Sequence, residues 1–216
     1  MKPATPSGNA RPSTSPTPTV YVVDDDVSVR RSMTRLLKSH GFSVEPLTCA
    51  EDFLALDHYA SPGCLVLDVR MPGLDGLELQ ERMTALKLTL PVVFITGHGD
   101  VPMSVKAMKA GAVDFLPKPF SAKELLSAVR HAIAKNKAEA ALAAGAEEIV
   151  RRLGTLTPRE REVLRLVVRG KMNKEIASDL HLSIKTVKVH RGRVMKKMEA
   201  TSLAELVRAA GKVGIS

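Results

Sequence analysis

The chain has 216 residues, with 32 Lys+Arg against 23 Asp+Glu, no tryptophan and 3% aromatic residues. That length can bury one large core or two modest ones. No apolar run approaches the ~20 residues needed to span a bilayer, and no apolar segment follows Lys2 as in a secretory signal, so a cytoplasmic protein with no membrane partner is expected. The charge is lopsided: residues 1–130 carry 14 basic and 14 acidic side chains, and residues 131–216 carry 18 and 9. A basic module joined to a neutral one points to a polyanion as partner of the basic part.

Residues 1–18 are rich in Pro, Ser and Thr and read as a disordered tail. Order is expected from Val20-Tyr21-Val22-Val23, a β-type run that ends in Asp24-Asp25-Asp26. A helix follows with Val29, Met33, Leu36 and Leu37 on one face, closing at Gly41. The alternation then repeats: a strand at Phe42–Val44, a helix at Ala50–Leu56, a strand at 64–68 and a helix at Leu74–Leu86. Pro91–Ile95 is a strand ending at Thr96-Gly97-His98-Gly99, and Asp100 caps a helix reaching Gly111. Ala112–Leu116 is the fifth strand, and Ser121 with Glu124 forms a capping box for a helix bearing Leu125, Leu126, Val129 and Ile133. Five strands alternating with five helices predict a doubly wound, five-stranded parallel α/β sheet.

From about residue 131 the chain is Ala-rich, read as a helical linker over 135–153 with a break near Gly145. Beyond it only short helices are predicted. Thr157-Pro158-Arg159-Glu160 is a strong helix start: a capping Thr, Pro at the first position and Glu three residues after the cap. Lys174–Leu180 is a second helix, His181-Leu182-Ser183 a turn, Ile184–Met198 a third helix and Ser202–Ala210 a fourth. This is an all-α, four-helix module containing a helix-turn-helix. The organisation expected is therefore a tail (1–18), an α/β domain (19–134), a helical linker (135–153) and a helical domain (154–216).

The polar residues at four strand ends would meet on one rim: Asp24 and Asp25 from the first strand, Asp68 from the third, Thr96 from the fourth and Lys118 from the fifth. The carboxyl ends of strands in an open parallel sheet are where ligands bind. Three clustered carboxylates repel one another and any incoming phosphate unless a hard cation sits among them, and Mg²⁺ takes oxygen ligands of this kind. Asp68, at the end of the apolar run Cys64-Leu65-Val66-Leu67, is the candidate nucleophile toward a phosphoryl group. Thr96 and Lys118 would hold the phosphoryl oxygens. Cys49 and Cys64 lack metal-ligand spacing and read as small core residues.

In the basic module, the predicted helix from Ile184 has an apolar face of Ile184, Val187, Val194 and Met198. The opposite face carries Lys185, Lys188, Val189, Gly192 and Lys196, flanked by Thr186, Arg193 and Lys197 on one side and Arg191 on the other. One apolar stripe with cations elsewhere suits the major groove of double-stranded DNA. Lys185 and Lys188 can donate to guanine edges and Val189 can meet a thymine methyl. Arg191, Arg193 and Lys197 suit phosphates. Gly192 in mid-helix would allow close approach to the DNA backbone, and His190 reads as packed or phosphate-bonded rather than as a metal ligand.

The motifs Val23-Asp24-Asp25, Leu67-Asp68-Val69-Arg70-Met71-Pro72-Gly73, Ile95-Thr96-Gly97-His98-Gly99 and Lys118-Pro119-Phe120 resemble, in order and spacing, the receiver domain of two-component response regulators. Leu156-Thr157-Pro158-Arg159-Glu160, Asn173-Lys174-Glu175-Ile176-Ala177 and Ser183–His190 resemble the LuxR-type output domain, and together they resemble the FixJ/NarL class. The resemblance implies Asp68 as phosphoacceptor and a Mg²⁺ site of Asp24, Asp25, Asp68 and the backbone carbonyl of Arg70. It also implies a cis Lys118–Pro119 peptide, and a switch in which Thr96 follows the phosphoryl group and the Phe115 ring changes rotamer. A sensor histidine kinase would be the donor, phosphorylation would promote a homodimer, and promoter DNA would be the downstream partner, with RNA polymerase a further candidate outside what the resemblance implies.

Two other readings remain at this point. A phosphatase with an aspartyl nucleophile typically needs an acid two residues on, where this chain has Arg70. An adaptor whose basic helices bind an acidic protein would leave DNA unprotected in a footprint.

Overall fold

The computed structural model describes residues 17–97 and 101–215. All but the last two residues of the expected tail, and Asp100 with its expected cap, lie outside them. The chain divides into two units, Met1–Ala140 and Ala141–Ser216. The first contains β1 (Thr19–Val23), α1 (Val27–Ser39), β2 (Ser43–Leu47), α2 (Ala50–Leu54), β3 (Gly63–Asp68), α3 (Gly76–Ala85), β4 (Val92–Thr96), α4 (Val101–Lys109), β5 (Asp114–Pro117) and most of α5 (Ala122–Gly154). α5 ends in the second unit, followed by α6 (Pro158–Val168), α7 (Asn173–Asp179), α8 (Ile184–Lys197) and α9 (Leu203–Lys212).

The sheet order is β2-β1-β3-β4-β5, with every neighbouring pair parallel. Both faces are buried, as covered parallel sheets require, and the two-residue period sorts the side chains. Val20, Val22, Cys64, Val66, Val93 and Ile95 face a core shared with α1 and α5 residues such as Leu37 and Leu125. Tyr21, Val23, Leu65, Leu67, Val92 and Phe94 face the opposite core with Phe53, Leu79 and Met83. The chain leaves β1 toward β2 and returns to β3, so the order reverses between β1 and β3. The crevice beyond their carboxyl ends is the topological switch point.

Gly76 sets how closely α3 approaches that crevice. A Cβ there would stand 2.3 Å from the Asp68 carbonyl oxygen and 3.0 Å from Val69 Cα, so no side chain fits. The Gly76 amide donates to the Val69 carbonyl at 2.9 Å. Gly76→Ala is expected to destabilise the first unit by about 1–3 kcal/mol, the usual range for overpacking. Urea unfolding checks this, and an unchanged midpoint would show that the backbone yields freely.

The elements depart from the sequence reading in three places with clear causes. α3 starts at Gly76 rather than Leu74, because Asp75 is its cap: Asp75 Oδ1 accepts from Glu78 N at 2.8 Å and Glu78 Oε2 accepts from Asp75 N at 3.0 Å. β2 runs on through Pro46 to Leu47, which an edge strand tolerates. The break expected near Gly145 is absent, and α5 is helical throughout Ala122–Gly154. One glycine costs about 1 kcal/mol in a helix, and the surrounding alanines outweigh it.

α5 is tied into the first unit by Asn136, buried at 6% exposure. Its side-chain oxygen accepts from Gly63 N at 3.0 Å and Ser61 Oγ at 3.2 Å. The second unit has its own core of Ile149, Leu156, Val163, Leu164, Val167, Ile176, Val187, Val194, Met198 and Leu206. α6 is capped by the Thr157–Glu160 box and α8 by Ser183.

Candidate functional site

The switch-point crevice gathers residues from three strand ends. Val23 is in register with Leu67, so the next residues, Asp24 and Asp68, come side by side. Both are buried, at 0% and 6% exposure, while Asp25 is exposed. Ligand oxygens of Asp24, Asp25 and Asp68 all lie within 4.8 Å of one another. Lys118 N donates to the Thr96 carbonyl at 2.7 Å, which brings its side chain over the same crevice. Its Nζ donates to Asp24 Oδ2 at 2.8 Å and to Asp68 Oδ2 at 2.6 Å.

Each buried carboxylate thus shares one oxygen with the ammonium. The other accepts from a backbone amide two residues on: Asp26 N to Asp24 Oδ1 at 2.8 Å, and Arg70 N to Asp68 Oδ1 at 3.2 Å. Burial raises the pKa of Asp24, against the opposing pull of Lys118. Burial works against the Lys118 ammonium too, but its bonds to Asp24 and Asp68 prevail and hold its pKa above the ordinary value. Asp26, given no role from the sequence, caps α1: its Oδ1 accepts from Ser28 N at 2.7 Å and Val29 N at 3.1 Å.

Thr96 is buried at the end of β4, beside β3. Phe115, on β5, is half-buried, with its ring 6.3 Å from that of Phe94. Lys118–Pro119 is cis, as the resemblance implied. Three carboxylates with convergent oxygens form a hard donor set. A hard divalent cation such as Mg²⁺ fits this set.

In the second unit, Lys185, Lys188, Val189, Gly192, Arg193 and Lys196 of α8 are all exposed. No Cβ clash explains Gly192, around which there is open space. Thr186 Oγ1 is 2.8 Å from Ser183 Oγ, and Arg191 Nη1 donates to Asn173 Oδ1 at 3.0 Å. Arg191 is therefore partly spent on fixing α8 against α7.

Two expectations for α8 need correction. Ile184, expected on the packed face, is 46% exposed, while Val187, Val194 and Met198 are buried as expected. Ile184 is the first residue after the Ser183 cap, where the helix has not yet reached the core. Lys197 is turned inward: its Nζ donates to Glu160 Oε2 at 2.7 Å and to the Thr155 carbonyl at 2.9 Å. A phosphate contact would require breaking that pair. His190 is half-buried, with Nδ1 lacking a partner among the described residues. Among the described residues, the group that could hold a metal is Asp24, Asp25 and Asp68.

Residues 20–130 match the family described as response regulator receiver domain, and residues 154–210 match the bacterial regulatory proteins of the luxR family. The chain is 48% identical over 192 residues to the transcriptional regulatory protein FixJ of Rhizobium meliloti, covering 89% of this chain and 94% of that protein. The chain belongs to the FixJ-type two-component response regulators. This response regulator is also 47% identical over 197 residues to nodulation protein W of Bradyrhizobium diazoefficiens, covering 91% of this chain and 87% of that protein. The structure of the response regulator StyR matches it with a TM-score of 0.82 at 48% identity, covering 91% of this chain and all of that one. The first unit is thus the receiver, with the acidic crevice at its switch point, and the second is the LuxR-type DNA-binding domain. No helix among the described residues is long and apolar enough to cross a membrane.

Proposed function

We propose that this response regulator is switched by phosphorylation of Asp68 and answers by dimerising on promoter DNA. The observation that carries the reading is the pairing of Lys118 with Asp24 and Asp68 at the switch point. An Asp68 oxygen attacks the phosphorus of a phosphohistidine on a sensor kinase. The new O–P bond forms as the P–N bond breaks, and the departing imidazole takes up a proton. Asp24, Asp25, Asp68 and the Arg70 carbonyl would hold Mg²⁺, which neutralises phosphoryl oxygens when bound. Lys118 moves from its two carboxylates to a phosphoryl oxygen, and the Thr96 hydroxyl donates to another. The Phe115 ring then turns inward and reshapes the surface of α4 and β5 on which a second copy docks. The chain turns over no separate substrate and works in the cytoplasm. RNA polymerase is the further partner of a bound dimer.

On DNA, α8 enters the major groove. Lys185, Lys188 and Val189 read base edges with Thr186, Gly192 permits close approach, and Arg191, Arg193 and Lys196 meet phosphates. Lys197 is withdrawn from this set because Glu160 holds it. Arg193→Ala should weaken binding on all sequences and reduce the salt slope by about 0.9, whereas Lys188→Ala should relax preference at one base pair by roughly 1–3 kcal/mol. Fluorescence anisotropy at several salt concentrations separates the two, and equal slopes for wild type and Arg193→Ala would remove the phosphate contact. Promoter footprinting tests the whole reading: protection is expected with phosphorylated wild type, and its absence would argue against direct DNA binding. Reciprocity requires that bound DNA also favour the phosphorylated form.

A further inference from the structure

The LuxR-type domain carries a second basic feature, away from α8. An open groove of about 310 Å³ lies between the end of α5, α6 and Ile215. Its floor is apolar, formed by Val150, Leu153, Leu164 and Ile215. Val150 is 57% exposed although it borders this apolar surface. The rim carries Arg161 and Arg165, one helical turn apart on α6.

These two cations differ from their neighbours. Arg151 and Arg152 are held by Glu148, Arg159 by Glu162, and Lys197 by Glu160. Among the described residues, no ion pair or hydrogen bond engages the Arg161 or Arg165 side chain, and both are exposed. Like charges four residues apart on a helix repel by a few tenths of a kcal/mol, so the pair is kept at a small cost, while Glu148, Glu160 and Glu162 are held by other cations. We propose that this groove docks an acidic amphipathic segment of a partner protein: an apolar anchor on Val150, Leu153 and Ile215, with flanking carboxylates gripped by Arg161 and Arg165. Guanidinium groups bind carboxylates in bidentate fashion, and a groove of this size takes one or two large side chains. A DNA phosphate would use the arginines but gain nothing from the apolar floor, so the floor favours protein over nucleic acid.

Gly154, at the end of α5, offers a way to block the groove. It lines the cavity, and a Cβ built on it meets nothing within 4 Å. The probe is a short helical peptide with two leucines one turn apart, flanked by glutamates, titrated by NMR into the full-length protein. Amide shifts should cluster at the end of α5, along the outer face of α6 and at Ile215. Arg161→Gln with Arg165→Gln should weaken the peptide at least about tenfold, Gly154→Gln should weaken it without lowering the unfolding midpoint, and neither should change DNA affinity. Equal binding of a peptide with both leucines replaced by serine would reduce the contact to bare charge attraction and overturn the proposal. Loss of DNA affinity with unchanged peptide binding in the arginine double variant would assign the pair to the DNA backbone instead.

Discussion

Lys118→Met is expected to tighten divalent-cation binding at the receiver site roughly tenfold or more, while abolishing the gain in DNA affinity on phosphorylation. The ammonium lies 2.6–2.8 Å from both buried carboxylates, within the space a cation bound to them would share. Two unit charges about 4 Å apart interact by about 4 kcal/mol at an effective dielectric of about 20. The Lys118 side chain is 21% exposed, which leaves some screening, but a third of that figure is already tenfold. With the lysine gone, Asp24 and Asp68 face each other with only backbone amides for company, and a cation relieves them more. The phosphoryl group then has no ammonium to draw toward it, so the bond network that couples Asp68 to β5 is missing. Calorimetric titration with Mg²⁺ or Mn²⁺ reads the first effect, and anisotropy on a promoter fragment reads the second. Weaker cation binding in the variant would mean that Lys118 does not compete for the site.

Glu160→Gln should cost the DNA-binding domain up to about 3 kcal/mol and remove the part of its acid sensitivity that Glu160 supplies. Glu160 is 2% exposed and has two duties: it accepts from the Thr157 amide at 2.9 Å as half of the capping box and from Lys197 Nζ at 2.7 Å. The lysine bond, aided by the Thr157 amide, pulls its pKa down to about 2 from an ordinary 4.5. A shift of that size corresponds to about 3 kcal/mol at most by linkage. The sign follows from the direction: a depressed carboxylate pKa stabilises fully above about pH 4.5, and that contribution is lost as pH falls toward 2. Lys197 is about one-third exposed, so the measured value should lie below the ceiling. Hydrogen exchange of α6 and α8 amides between pH 3 and 6 checks this. A wild-type domain whose protection does not fall with acid, or a variant with the same pH profile, would contradict it. Because the pair joins α6 to the recognition helix, the variant should also lose DNA affinity.

The sheet was legible in the sequence because its central strands β1, β3 and β4 are buried on both faces and bounded by turn residues. Cys64–Leu67 ending in Asp68 is the clearest case, and Asp24 and Lys118 follow from the same pattern at their own strand ends. Where function depends on a partner distant in sequence, local pattern is silent. Glu160 and Lys197 are 37 residues apart and Asn136 and Gly63 are 73 apart. Helical phase placed Lys197 on the flank of the groove-facing surface, but phase cannot report that a carboxylate of α6 waits there. Asn136 looked like one polar residue among many in an Ala-rich stretch. Gly76 stood in a turn-rich stretch where glycine is ordinary, and only the packing of α3 against Asp68 shows why a side chain is forbidden. Gly145 erred the other way, since a breaker by propensity is overridden by the alanines around it.

The most direct test of the central claim is to treat wild type and Asp68→Ala with acetyl phosphate and Mg²⁺ and compare intact mass, oligomeric state and affinity for a promoter fragment. Wild type should gain one phosphoryl group, shift toward a dimer and bind DNA more tightly, and the variant should do none of these. A variant that is phosphorylated, dimerises and responds like wild type would contradict the assignment of Asp68 as the switch.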